Sequence, residues 1–472
     1  MNDFSIEIYS SDNKSAWNEF IESSKNGTFL FNRDFMDYHS DRFSDFSLII
    51  RNNKNHIVAL LPGNVSNKTY WTHQGLTYGG LIVNNDMTAE TNLKIFSEIK
   101  YFLAEKGIEE LIYKAIPHIY HKQPSEEDLY SLFRNNAEIY IRQISTTLNL
   151  RNPLPLALKR KQKLRKSEKF GLTFSEENDM KSFIQMVDEN LMNRYGVHCI
   201  HTPEEMQRLK DRFPDKIKLY IIRKDGLMIC GVLCFLTTHV VHTQYMCANS
   251  EGRKYSALDF AINKLIEIYR ETHEWFDFGT SNENGGRYLN ENLISQKEGF
   301  GGRGIIYDQY RIKINKKLNV SFVNFSEVFQ KKSQIWLQDE ELIPLINAPK
   351  FELKKQRDWV DFFTKNPEKC FVKGILINNE PSGGCGIKNI LIDNNGHKIG
   401  EYWGYIGDKD KRGQGVGNII MDYIINIAKE NKINKLMLKV MEFNFPARNL
   451  YKKFGFKEIS LGREIIMEKI ID

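Results

Sequence analysis

The sequence predicts an α/β protein in which strand–helix–strand units repeat along the chain, each unit with its own mixed sheet. Three observations predict it. Apolar runs of strand length alternate with segments whose apolar residues recur at i, i+3, i+4 and i+7. A block of strand, glycine-rich turn, helix, strand and helix near the C-terminus recurs upstream in the same order. The composition is that of a chain able to bury real cores: 472 residues, 41% hydrophobic and 27% charged.

Taken in chain order, the first copy is the faintest. Asn92 to Leu103 is helical in pattern, Gly107 to Pro117 (GIEELIYKAIP) reads as a strand, and Asp128 to Phe133 as a short helix. In the second copy Arg253 to Leu258 precedes a helix with Leu258, Ala261, Leu265 and Ile268 on one face. Glu274 to Gly279 is its strand, Asn284 to Lys297 its next helix, and Glu298-Gly-Phe-Gly301 closes it. Between Phe322 and Phe363 two helices are expected, then strands at Cys370–Ile377 and Lys388–Asp393 and a tight turn at Asp393–Gly396. The third copy is the clearest. Gly400 to Gly407 (GEYWGYIG) is a strand, and Ile420, Tyr423, Ile424 and Ile427 mark one helix face. Lys435 to Met441 (KLMLKVM) is an apolar strand, and Asn444 to Phe454 a short helix with Pro446 in its first turn and Gly455 as its stop. Boundaries fall near Asn149–Pro155 and Ile314–Val320, which divides the chain into 1–150, 151–316 and 317–472.

Charge and cysteine usage exclude several classes. Lys and Arg total 66 against 60 Asp and Glu, a net charge of +6, too slight to mark a nucleic-acid binder by bulk charge. None of the six cysteines forms a CxxC pair, so they read as reduced thiols of a cytosolic protein. The start, from Met1 to Glu7, has neither a basic n-region nor an apolar h-region, and no apolar run approaches the roughly 20 residues of a membrane span. A cytoplasmic protein without signal peptide or membrane partner is expected. His198 and His201 beside Cys199 have no further ligands at zinc spacing, and no metal is expected.

One motif carries chemistry. Arg412, Gly413, Gln414, Gly415, Val416 and Gly417 follow a strand and open a helix. The glycines let the backbone approach an anion, and the free N–H groups of the first helical turn point at it along the helix dipole. Lys409 and Lys411 add positive charge. The pattern marks a phosphate or pyrophosphate site, although its spacing is neither GxxxxGK[ST] nor GxGxxG.

That R-x-x-G-x-G spacing, with Asn444, Ala447, Leu450, Tyr451, Phe454, Gly455 and Phe456 downstream, resembles the GNAT acyl-CoA acyltransferases over about residues 320–472. The resemblance implies that residues 412–417 hold the pyrophosphate of acyl-CoA, that Asn444 contributes to cofactor binding, and that Tyr451 protonates the departing thiolate. The alternative for Tyr451 is a core tyrosine. For the chemistry, an amine attacks a thioester carbonyl, and a backbone N–H around Tyr402–Tyr405 is expected to stabilise the oxyanion. Glu401 and Glu442, at the ends of the strands flanking the cleft, are the candidate bases; each also reads as a solvated strand-end carboxylate. Residues 336–346 (WLQDEELIPLI), Gln356 to Trp359 and Tyr402 to Gly407 resemble GNAT members that N-acetylate nucleotide-linked amino sugars.

Residues 1–315 resemble the Fem-type aminoacyltransferases and their sugar-acylating relatives, which are two fused GNAT-like domains. The basic stretch Leu158–Leu172, the run from Asp277 through Leu293, and Gln296 to Gly302 carry this resemblance. It implies three GNAT-like domains in tandem: a degenerate one at 1–150, a Fem-type one at 151–316 and an acyl-CoA-binding one at 317–472. The second copy departs from the motif, with Arg253, Ser256 and Leu258 where the third has Arg412, Gly415 and Gly417. Ser256 is then the cofactor contact at a narrower loop. No pair of long charged helices is seen between Phe174 and Lys218, against an aminoacyl-tRNA donor. The basic run Lys159–Lys169 reads as a solvated helix face or a grip on phosphates. In the polar cluster Thr280–Asn284, Glu283 is the only carboxylate and the candidate base of this half.

The function expected is N-acylation, with acyl-CoA as co-substrate, of the amine on a nucleotide-linked deoxyamino sugar for O-antigen, lipopolysaccharide or capsule assembly, with one or both halves catalytic. The rivals are Fem-type aminoacyl transfer to a peptidoglycan precursor, and an N-terminal pair serving only as a binding platform. The expected partner is a small-molecule nucleotide sugar, not nucleic acid; further copies of the chain are compatible with the sequence.

Overall fold

The computed structural model describes residues 3–314, 318–347, 352–394, 396–460 and 462–471. The chain divides into two compact units, Met1–Lys316 and Lys317–Asp472. The heart of the expected junction, residues 315–317, and residue 395 of the expected turn at Asp393–Gly396 lie outside the described residues.

In the first unit the recurring motif is a strand, a crossover helix and a parallel strand. β1 (Thr69–Trp71), α1 (Ala89–Glu105) and β2 (Glu110–Lys114) form one copy, which β3 (Glu138–Asn149) follows. The basic helix α2 (Leu158–Ser167) leads into the second copy. There β4 (Leu227–Leu236) runs antiparallel to β5 (Val240–Ala248), and α3 (Ala257–Tyr269) crosses to β6 (Trp275–Thr280). β7 (Arg303–Lys313) closes the unit. The helices Met180–Tyr195 and Pro203–Arg212 occupy the segment between Phe174 and Lys218.

The two copies exchange their closing strands. β3, which ends the first copy, pairs with β6 of the second, and β7 pairs with β2 of the first; β3 and β7 also pair with each other. The result is one ten-stranded mixed sheet, ordered Asn64–Ser66, β1, β2, β7, β3, β6, β5, β4, Ile217–Lys224, Thr173–Glu177. A separate four-stranded sheet runs Phe4–Ile8, Leu48–Asn52, Ile57–Leu61, Ile82–Val83. Beneath α3, Ala257, Ala261 and Leu265 pack on Val241, Phe276 and Phe278.

The second unit is a seven-stranded sheet with the same crossover. α4 (Glu327–Trp336), the short helix Leu342–Ile346 and α5 (Leu353–Lys365) precede β8 (Phe371–Ile377), β9 (Glu380–Ile392) and β10 (Lys398–Ile406). α6 (Val416–Glu430) crosses to β11 (Lys435–Met441), then α7 (Phe445–Lys453) and β12 (Glu464–Ile470). The order is Val320–Asn324, β8, β9, β10, β11, β12, Lys457–Glu458. Here the closing strand β12 stays with its own copy, on β11. The α6 stripe Val416, Ile420, Met421, Ile424 and Ala428 is buried on Tyr402, Leu436 and Leu438. Each isoleucine so buried contributes about 1.5–3 kcal/mol.

Three expectations differ from what is found. The helix expected over Asn284–Lys297 begins only at Glu291, because Asn284, Gly285 and Gly286 have φ of 49°, 61° and 88° and form a tight hairpin instead. The strand expected at Lys388–Asp393 is the end of the longer β9. Its first half, with Gly383, Gly384 and Gly386, is not among the expected strands and lies beneath aromatic rings: a Cβ at Gly384 would stand 3.1 Å from Phe325. Between Phe322 and Phe363 there are three helices rather than two.

Candidate active site

The site of the second unit begins with a divergence of two parallel strands. β10 and β11 pair only at Ile399–Lys435, Gly400–Leu436 and Glu401–Met437. Beyond that point β10 stays with β9 and β11 with β12, which opens a wedge between them. Gly407 donates to Ser382 on the β9 side (2.8 Å). Strand alternation therefore turns the N–H groups of Ile406, Gly404 and Tyr402 toward the wedge. A cavity of about 980 Å³ occupies it, within the size of small-molecule sites.

At one end of the cavity stands the glycine-rich loop. Gly413 and Gly415 have φ of 71° and 82°, the left-handed conformations the turn needs, and Gly415 is the residue before the helix. The first turn of α6 carries no acidic residue, so its N–H groups and dipole face the cavity uncompensated. Gly417 is required for a different reason: a Cβ there would lie 2.8 Å from Leu450 of α7. Arg412 turns inward. It donates to the carbonyls of Ile406 (2.9 Å) and Gly407 (2.7 Å) and pairs with Asp339 (2.7 Å), so its guanidinium staples the loop to the strand end. Backbone N–H groups of Glu341 and Leu342 and the Arg412 guanidinium hold the Asp339 carboxyl below its ordinary range, the Glu341 N–H most strongly. Lys409 pairs with Glu341 (2.6 Å), and Gln414 donates to the Asp410 carbonyl.

Tyr451 lies on α7 against Tyr402, ring centroids 5.9 Å apart and nearly perpendicular. Burial pushes its hydroxyl up to about 12, against the lowering effect of a hydrogen bond from Tyr402. It is therefore protonated at neutral pH, the state an acid must start from. Gly404 makes room for this pair, since a Cβ there would come 2.6 Å from the Tyr402 hydroxyl. Asn444 caps α7, accepting from the Ala447 N–H (3.3 Å) and donating to the Leu345 carbonyl (3.2 Å).

The other end of the cavity is aromatic and charged. Trp359 meets Trp403 edge to face at 5.1 Å, so the two segments singled out from sequence do come together. Glu401 faces this end; its carboxylate accepts from Asn389 (2.9 Å) and pairs with Lys388 (3.2 Å). It also lines an adjoining apolar cavity of about 480 Å³. Glu442 is exposed and does not line either cavity.

In the first unit the sequence-derived candidates do not converge. Ser256 takes a left-handed φ of 58° before α3 and makes no capping bond. Asp259, buried in the first turn of α3, pairs with Arg160 at 2.6 Å. A carboxylate thus occupies the helix end that an anion would use. Glu283 is exposed and accepts from Asn290 (2.9 Å). The most elaborate polar cluster, around Asp277, His242 and Tyr120, was not singled out from sequence. The one local signal was an aspartate on an otherwise aromatic strand, WFDFG. Among the described residues no group of three or more His, Cys, Asp or Glu could hold a metal, and all six cysteines are free.

Residues 334–456 match the model of the acetyltransferase (GNAT) family, and residues 157–288 that of the acetyltransferase (GNAT) domain. No curated protein matches the sequence. Among solved structures, FemX is similar at 10% identity and TM-score 0.49, over 66% of this chain and 98% of that one. The C-terminal domain of a putative lysylphosphatidylglycerol synthetase from Agrobacterium fabrum follows at 13% and 0.44, over 65% and 92%. Spermidine N-acetyltransferase from Vibrio cholerae, solved with CoA and spermine, is similar at 14% and 0.28, over 33% and 97%.

Proposed function

We propose, for a chain that belongs to the GNAT superfamily and carries acyltransferase domains at residues 157–288 and 334–456, that the C-terminal unit N-acylates a nucleotide-linked deoxyamino sugar from acyl-CoA, for surface polysaccharide assembly. The observation that carries this reading is the wedge itself. One cavity unites a helix start with no acidic residue in its first turn, a protonated tyrosine and an aromatic, charged lobe.

In this reading the N–H groups of residues 413–417 receive the pyrophosphate, and Asn444 and Val416 line the path of the pantetheine arm. The N–H groups of Tyr402 and Gly404 face the thioester carbonyl and stabilise the oxyanion as the amine attacks. Glu401 takes the proton from the amine, directly or through a water, and Tyr451 donates one to the thiolate as the C–S bond breaks. Trp359 and Trp403 offer flat apolar faces to the sugar ring. The first unit is left with the roles of a second centre or of a platform.

Mass spectrometry tests this. The full chain is incubated with acetyl-CoA and a panel of nucleotide-linked 3-amino and 4-amino dideoxysugars. A product heavier by one acetyl group, formed roughly 10²-fold more slowly with Tyr451→Phe, is expected. A blank panel with CoA binding intact would overturn the acceptor assignment.

A further inference from the structure

In the first unit the parallel pair β5–β6 has the same three-residue ladder as β10–β11: Val240–Trp275, Val241–Phe276, His242–Asp277, after which the strands diverge. The last paired position is therefore His242 here and Glu401 there. The two side chains also share a face. Val241, Phe276 and Phe278 pack beneath the crossover helix α3, which puts His242 and Asp277 on the opposite face. Tyr402 packs beneath α6, which puts Glu401 opposite in the same way. In the first copy, β1–β2, the equivalent position holds Trp71 against Ile112 and offers no base.

What surrounds His242 is built to orient it. Asp277 is fully buried. One carboxylate oxygen accepts from the Tyr120 hydroxyl (2.9 Å), the Tyr307 hydroxyl (2.8 Å) and His242 Nδ1 (2.8 Å). The other accepts from Ser145 and from Thr147 (2.8 Å). Burial raises this carboxyl, but His242 foremost, with Ser145 and Thr147, outweighs it and holds the carboxyl well below its usual range. The Nδ1 contact with Asp277 fixes the ring, and in the tautomer that donates from Nδ1 the lone pair lies on Nε2. His242, with 12% of its side chain exposed, is the member of the cluster with most access to solvent. Lys297, which feels the Asp277 charge, is bound to the carbonyls of Gly279 and Thr280, both at 2.8 Å.

From this correspondence we infer that the first unit holds a second acyl-transfer centre, in which His242 is the general base and Asp277, Tyr120 and Tyr307 position it. The acceptor is a primary amine. Nε2 takes its proton as the new C–N bond forms, and gives that proton to the departing thiolate or alkoxide as the C–S or C–O bond of the acyl donor breaks, releasing a thiol or alcohol. Because Asp259 and Arg160 fill the start of α3, the donor is an acyl thioester or ester that does not rest a diphosphate there. The inference shares with the preceding reading only the strand divergence as the place of acyl transfer.

Two measurements on the full chain test it. Diethyl pyrocarbonate labelling followed by peptide mass spectrometry reads the free Nε2 without any substrate. His242 is expected to label despite its burial, and to label several-fold more slowly in Asp277→Asn, or in Thr147→Val should the first variant not fold. A His242 that stays unlabelled, or labels indifferently to these changes, overturns the inference. The second measurement uses Tyr451→Phe, which lowers turnover of the C-terminal centre by roughly 10²-fold, with the acetyl thioester of N-acetylcysteamine and hydroxylamine as donor and acceptor. Residual transfer above the protein-free rate should fall several-fold further with His242→Gln. No residual transfer, or transfer that His242→Gln leaves unchanged, refutes it whatever the fate of the nucleotide-sugar reading.

Discussion

Arg412 gives the sharpest test of how the donor loop is made. Its guanidinium donates to two main-chain carbonyls and to Asp339, all within the protein. Arg412→Ala therefore strikes the unliganded fold. Hydrogen bonds to charged groups contribute about 1.5–3 kcal/mol each. The side chain is 21% exposed, so the three together are worth about 3 kcal/mol rather than their sum. At about 2–4 °C per kcal/mol for a unit of this size, Arg412→Ala should lower the melting temperature of the C-terminal transition by roughly 6–12 °C. Arg412→Lys should recover less than half, because one ammonium cannot serve three acceptors lying in different directions. Scanning calorimetry of the full chain without ligand, followed by KM for acetyl-CoA, separates staple from phosphate ligand. An unchanged melting temperature with a tenfold higher KM would refute the reasoning and hand Arg412 to the pyrophosphate.

Three further outcomes follow from the site and from the first unit. Tyr451→Phe should lower kcat and kcat/KM together by roughly 10²-fold, with KM for acyl-CoA little changed; unchanged turnover would return Tyr451 to packing. Tyr402→Phe removes the hydrogen bond that lowers the Tyr451 pKa, so the alkaline limb of the kcat profile should move to higher pH; a limb that stays in place belongs to another group. Asp128, buried with the Tyr113 hydroxyl 2.6 Å away, has its carboxyl raised by desolvation from 3.8 to about 6. The folded state then binds this proton more tightly than the unfolded chain, so its contribution is present below the unfolded pKa and is lost as pH rises through about 6. Comparing thermal unfolding of Asp128→Asn with the parent chain across that window should show a difference of about 3 kcal/mol that grows with pH; parallel curves would contradict it.

The C-terminal block was legible because every element in it is marked locally. The Lys435–Met441 strand, the Asn444 cap and the Gly455 stop are each set by residues within one turn or strand of themselves. The glycine-rich half of β9 was not, since what makes it a strand is the aromatic layer over it: Phe325, just before α4, and Trp403 of β10. The same holds for site residues. The loop at 412–417 declares itself, whereas the inward turn of Arg412 depends on Asp339, 73 residues away. The Asp277 cluster lies at the extreme. Its partners Tyr120 and Ser145 are 157 and 132 residues distant, and no periodicity joins them.

That distance is explained by the strand exchange. In the C-terminal unit β12 returns to its own copy, and the residues around the wedge come from one copy alone. In the first unit β3 leaves its own copy to lie against β6, which carries Ser145 and Thr147 directly to Asp277. β7 crosses the other way, bringing Tyr307, while Tyr120 comes from the copy that β3 has left. A buried carboxylate missing these donors would be driven to protonate. The exchange thus makes the first copy a condition of the second copy's buried charge.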